Sequence, residues 1–333
     1  MMAHMNDATE PGGVDVLVVG AGMSGMAAAA DLMRAGKRVQ VVEKGRGVGG
    51  RMATRRIGDA VIDHGAQFVT TRGERFRGMM DGWVAAGVAA EWCRGFAERA
   101  DGHSRWCGRG GMKALPRQFA GGVAVALQTH VESIAEEGGR WAVALRDGRV
   151  LDCGAVVMTA PVPQALAILD AGGVAMRPEL RAAMDAIDYE RSLTVLAVLD
   201  GPSGLREPGG MAFEEGPIGW LADNQMKGIS PVPCLTIQAS HAFSMAHWDG
   251  DREAAGRELL GAARPWVAAG VREFQIHGWR YAKPVRVHDE ACALVSAHPP
   301  LVLAGDAFAG PKVEGAARSG WAAAEFLLRK NDA

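Results

Sequence analysis

Charge of neither sign is in excess in this sequence. Its 36 Lys and Arg residues are matched by 38 Asp and Glu, a formal net charge of −2. That balance excludes the global positive field by which a chain holds nucleic acid or an anionic membrane. Cysteine is scarce. The five, at 93, 107, 153, 234 and 292, show no CxxC and no His partner at metal-ligand spacing, so no metal site is expected. An odd, scattered set suits a reduced, cytoplasmic protein. No apolar run reads as a membrane span or export signal. Val14 to Met33 comes nearest, but glycines recur inside it, Asp31 and Arg34 close it, and acids precede it. There is no GxSxG and no Cys/His pair in a recognised context, so no acid–base dyad or nucleophile is assigned. Tyrosine is nearly missing, with only Tyr189 and Tyr281, whereas the nine tryptophans offer aromatic faces that can stack on flat rings.

Glycine, by contrast, is abundant, at 45 of 333 residues. It has no G-X-Y period, and 48% hydrophobic residues argue against disorder. The length suggests two domains. Residues 1–12, polar and broken by Gly and Pro, read as a disordered N-terminus.

The informative glycines begin after a β-branched run. Val14 to Val19 fits a strand buried on both faces of a parallel sheet. It leads into Gly20-Ala21-Gly22-Met23-Ser24-Gly25, and Met26 to Ala35 then reads as a helix ended by Gly36. Gly20 permits the tight turn, Gly22 lets backbone approach a pyrophosphate, and Gly25 lets helix pack on strand. The helix N-terminus offers free N–H groups and positive dipole to phosphates. Val39 to Val42 is a second strand, and Glu43 at its end is placed for ribose hydroxyls. Together these point to a Rossmann-like dinucleotide site, for NAD or FAD rather than NADP.

A glycine- and arginine-rich loop follows, Lys44 to Arg56, which a simple NAD dehydrogenase does not need. An extended FAD does. Arg51 can donate to phosphate in forked geometry, whereas Arg55 and Arg56 read as a solvated face, with binding of a substrate phosphate as the alternative. The segment Lys44 to Arg56 with Asp63-His64-Gly65-Ala66-Gln67-Phe68 resembles the renalase-like branch of the flavoprotein amine oxidase superfamily. His277 to Ala282, Leu301 to Phe308 and Lys312 to Ala316 resemble its later segments. His64 stands where leucine is expected.

The resemblance implies an α/β, two-domain flavoprotein. A discontinuous FAD-binding domain would comprise 13–75, 105–165 and 285–330. A smaller sheet-plus-helices substrate domain would comprise 76–104 and 166–284. Non-covalent FAD would be bound by Gly20, Gly22, Ser24, Gly25, Glu43, Lys44, Gly50, Arg51, Gln67, Phe68, Val131, Asp306 and Val313. Val131 is either the adenine contact or a core valine. Asp306 either binds the ribityl chain or caps the next helix. Candidates for the substrate pocket are His64, Gln67, Phe68, Trp220, Asn224, Trp279, Arg280 and Lys312.

Beyond these, Trp141 to Leu145, Ala155 to Thr159, Leu193 to Leu199, Cys234 to Ser240, Arg272 to Tyr281 and Leu301 to Ala304 read as strands. Gly250 to Ala269 and Val313 to Leu328 read as helices.

The activity implied is hydride transfer from 2- or 6-dihydro isomers of NAD(P) to flavin N5, with oxygen reduced to hydrogen peroxide. Lys312 stands where amine oxidases commonly place an aromatic residue, which disfavours an ammonium and favours an anion. An amine oxidase or desaturase, or a non-catalytic flavin-binding protein, are the alternatives. Expected partners are a small-molecule dinucleotide and molecular oxygen, with no nucleic acid and no membrane, in a monomer or dimer.

Overall fold

The computed structural model describes residues 13–96 and 101–329. Residues 1–12, read above as a disordered terminus, lie outside them. The larger sheet has eight strands. Its main path runs Ala293–Ala297, Pro300–Leu303, Val150–Met158, Val14–Val19, Val39–Val42, Ala124–Ala126. The central pairings are parallel, as the β-branched runs require. Arg140–Leu145 and Val131–Glu137 extend the sheet antiparallel from Val150–Met158.

Val14–Val19 is covered on both faces. Val16 and Val18 pack with Met26, Ala27 and Leu32 of the helix Met23–Arg34, and with Ala317 and Ala324 of the C-terminal helix Val313–Arg329. Leu17 and Val19 point the other way, toward Met158, Val162 and Leu166. Each such side chain withdrawn from water contributes about 1.5–3 kcal/mol. The two helices approach closely because glycine faces backbone. A Cβ on Gly320 would lie 2.1 Å from the Ser24 carbonyl oxygen, and one on Gly25 would lie 2.0 Å from that of Gly20.

The second sheet is antiparallel, in the order Gly210–Ala212, Ile218–Asp223, Cys234–Ala239, Tyr189–Leu199, Val271–Pro284. A hairpin, Thr54–Ile57 with Ala60–Asp63, lies against it, burying Ile57, Ala60 and Ile62 with Leu196 and Cys234. A second hairpin pairs Ala89–Cys93 with Arg105–Gly108.

The helix expected over Gly250 to Ala269 is shorter, Arg252–Ala263. Asp251 caps it by accepting from the Glu253 and Ala254 N–H groups, and Pro265 follows its end. The strand expected over Arg272 to Tyr281 is longer, because Tyr189–Leu199 pairs along its whole length. No described helix is long and apolar enough to cross a membrane.

Candidate active site

A cleft of about 1860 Å³ runs from the glycine turn, past the end of Pro300–Leu303, to the second sheet. At one end lie Gly20, Gly22, Ser24, Glu43, Lys44 and Val131. In the middle lie Gly50, Arg51, Tyr281 and Asp306. At the other lie Gln67, Phe68, Trp220, Trp279, Lys312 and Val313. Gly25 does not line the cleft. Its place is under the turn, against Gly20.

The glycine turn is built for close approach. Gly20 has φ +108°, open only to glycine, whereas a Cβ on Gly22 would meet nothing within 4 Å. Ser24 is 5% exposed and its Oγ has no hydrogen-bond partner. Glu43 accepts from the Ala21 N–H at 2.8 Å and the Gly45 N–H at 2.6 Å, so its carboxylate braces the turn. Lys44 Nζ donates to Gln164 Oε1 at 3.0 Å.

Arg51 was expected to fork onto phosphate. Its two terminal nitrogens instead hold both oxygens of Asp306, each at 2.7 Å, and one also donates to the Tyr281 carbonyl at 3.2 Å. Asp306 is not a helix cap, since the helix starts only at Val313. Gly65 lets this centre close: its Cβ would lie 1.9 Å from the Arg51 carbonyl oxygen.

Gln67 Nε2 donates to the carbonyls of Asp63 and Gly65, leaving a buried Oε1 without partner. Phe68 and Trp220 belong to an aromatic wall with Trp92 and Phe96, ring centres 4.8–6.4 Å apart.

Three candidates do not line the cleft. Asn224 is wholly buried, accepting from the Asp63 N–H and donating to Thr236 Oγ1, so it ties hairpin to sheet. Arg280 is exposed, because alternation sends Trp279 and Tyr281 inward and Arg280 outward. His64 is buried, stacked on Trp279 at 5.4 Å, while its carbonyl accepts from Trp279 Nε1 at 2.7 Å. Burial, with His277 and Arg55 nearby, lowers the His64 pKa to about 3, so the ring is neutral and packed.

One pair had no sequence signal. Lys227 Nζ meets Asp63 Oδ2 at 2.7 Å, both side chains fully buried. Asp63 Oδ1 accepts from Thr54 Oγ1 and the Met112 N–H. This network holds the turn that carries Gln67. Among the described residues no cluster of His, Cys, Asp and Glu could hold a metal.

Two family descriptions match. Residues 18–83 match the NAD(P)-binding Rossmann-like domain, and residues 77–328 match the flavin containing amine oxidoreductase. The second covers more than half of the chain, which therefore belongs to the flavin-containing amine oxidoreductase family. In Mycobacterium tuberculosis, the protein named as flavin-containing monoamine oxidase AofH is 48% identical over 59 residues, 18% of this chain and 13% of its own length. The chain is similar in fold to a protein solved as a protoporphyrinogen oxidase from Exiguobacterium sp. 255-15, with TM-score 0.70 and 14% identity. It is also similar to putrescine oxidase with putrescine bound, with TM-score 0.67 and 16% identity. Each alignment covers 95% of this chain and 99% of the other.

The cofactor of this family is FAD. The residues fit it: the open space at Gly22 and the orphaned Ser24 Oγ suit a pyrophosphate, and the orphaned Gln67 Oε1 sits farther along. Gly20, Gly22, Ser24, Glu43, Arg51, Val131, Asp306 and Val313 would hold it.

Proposed function

We propose that this chain is an FAD-dependent oxidase of isomeric dihydronicotinamide dinucleotides, the 2- or 6-dihydro forms of NAD(P). One dinucleotide gives up a hydride to become NAD(P)+. Oxygen, taking that electron pair with two protons, becomes hydrogen peroxide. When bound, the flavin supplies the two-electron acceptor and the route to oxygen.

The observation that carries this reading is Lys312 beside the aromatic end of the cleft. A cation there repels an ammonium and attracts a phosphate-bearing donor. Phe68, Trp220 and Trp279 offer flat faces to a heteroaromatic ring and keep water from it. The two tyrosines are not paired as a cage across this end. Tyr189 is buried, its hydroxyl accepting from the Val162 N–H, and Tyr281 lies edge-on to it near Arg51. No side chain has to remove a proton from carbon, because hydrogen leaves with its electron pair. The resemblance of Lys44 to Arg56 supports the same reading. The unpaired state of all five cysteines supports a cytoplasmic location.

Anaerobic mixing with the isomers should bleach the flavin absorbance near-stoichiometrically within seconds. Persistent yellow colour overturns the reading. The family and the likeness to putrescine oxidase favour a second reading, oxidation of an amine. It requires turnover of an amine panel and no response to the isomers.

A further inference from the structure

The cleft is larger than one ligand needs, since small-molecule and cofactor sites typically enclose about 300–1,000 Å³. Its glycine-turn end belongs to the cofactor. A second elongated ligand with its ring at the aromatic wall must therefore extend its other end through the mouth. Arg72, Arg77 and Lys312 line that mouth.

Arg72 and Arg77 flank the start of one helix, Lys312 comes from the far end of the chain, and Glu314 joins the two segments. Its Oε2 accepts from the Arg72 N–H at 2.8 Å and its Oε1 from the Gly73 N–H at 2.6 Å. Glu314 is 9% exposed, so this clamp is nearly closed to water. It fixes the loop before the helix Glu74–Ala85 against the start of Val313–Arg329. Both of its oxygens are taken by backbone donors, so it forms no side-chain ion pair with the cations of the mouth. Arg75 makes the contrast: on another face of the same helix, it holds Asp31 at 2.6 Å and lies 4.0 Å over Trp321. Arg72, Arg77 and Lys312 have no carboxylate partner among the described residues, and Arg77 spends one donor on the Arg72 carbonyl at 3.1 Å. Asp81 shares the mouth without pairing to Arg77, so three cations, Arg72, Arg77 and Lys312, stand against two carboxylates, Asp81 and Glu314.

We infer that Arg72, Arg77 and Lys312 form a subsite for the phosphate groups of an anionic dinucleotide substrate. This rests on the reading of the donor as a dihydronicotinamide dinucleotide. The two arginines can donate in forked geometry to phosphate oxygens, and Lys312 adds a point charge.

The test uses FAD-loaded protein, whose own adenine dinucleotide site is filled, and ADP-ribose as the probe, measured by titration calorimetry at low and moderate salt. Wild type should bind it. Arg72→Gln and Arg77→Gln should each bind it more weakly, and R72Q/R77Q about tenfold or more weakly, with a shallower salt dependence. The exposed side chains allow all three variants to be checked for unchanged flavin content and thermal midpoint. Wild-type holoprotein that ignores ADP-ribose overturns the subsite, as does equal binding by the double variant. The donor reading fails separately. If the isomers do not bleach the flavin while ADP-ribose binding still depends on these arginines, the donor is wrong and the subsite stands. If they bleach it and R72Q/R77Q binds ADP-ribose like wild type, the subsite is wrong and the donor stands.

Discussion

Arg51 and Asp306, 255 residues apart in sequence, face each other through two parallel contacts of 2.7 Å. The pair ties the loop after the second parallel strand to the end of Pro300–Leu303, midway along the cleft. Forked pairs of this kind are among the strong polar contacts. Arg51→Ala should lower stability by about 2 kcal/mol, since a hydrogen-bonded charged group loses its partner. It should also lower flavin content. Denaturant titration and the flavin-to-protein absorbance ratio of the purified variant check both. Flavin retained at the wild-type ratio would remove the pair from the cofactor site.

Gly22 and Gly25 should respond oppositely to a side chain. Gly22 has extended backbone and open space, so Gly22→Val should change the stability of flavin-free protein by less than about 0.5 kcal/mol. It should still abolish flavin retention. Gly25→Ala forces a Cβ onto the Gly20 carbonyl oxygen and should cost about 1–3 kcal/mol even without flavin. Thermal midpoints of the stripped proteins separate the two effects.

The neutral histidines predict a pH dependence of stability. Burial first, then neighbouring charge, lowers His64 to about 3 and His277 to about 4, from 6.5. Their folded pKa values lie below the unfolded ones, so the unfolded chain takes up protons that the folded chain refuses. Their contribution is complete above pH 6.5 and is lost as pH falls toward 3. Within that window the pair should add about two protons to the uptake on unfolding, and His64→Leu should reduce the uptake by about one. Denaturant midpoints across the window read the slope; an unchanged slope in His64→Leu would contradict a neutral, packed ring.

Lys227→Met should strand the buried Asp63 carboxylate and cost about 3–5 kcal/mol. The double variant with Asp63→Asn should recover part of that loss, because no buried charge is then left alone. Urea midpoints of both variants provide the comparison. Equal loss in the two would mean that the packing of Lys227, not its charge, matters.

Much of the cofactor end was legible before folding. The β-branched run, the glycine turn, the helix and Glu43 are adjacent in sequence, and their spacing already describes a phosphate site. The details shifted where a distant partner intervened. Glu43 turns to the Ala21 and Gly45 N–H groups, and Arg51 turns to Asp306. The substrate end was less legible. Asn224 looked like a pocket residue but serves the join between hairpin and sheet, and His64, also a pocket candidate, is enclosed by Trp279 and His277. The Lys227–Asp63 pair was invisible, since nothing in either neighbourhood announces a partner 164 residues away.

By itself, then, the sequence determined the local grammar of this protein. It set a parallel strand, a turn open to phosphate, an alanine-rich helix, and a closing strand and helix at the C-terminus, all governed by forces acting within a few residues. Only the tertiary structure decided which side chains meet across the chain. Pairing Ser192 with Trp279 fixes the strand's register and so turns Trp279 to the cleft and Arg280 to solvent. The Glu314 clamp likewise brings Arg72 beside Lys312. Strand alternation allows either face to be buried, and an ion pair is indifferent to sequence distance. Packing makes both choices.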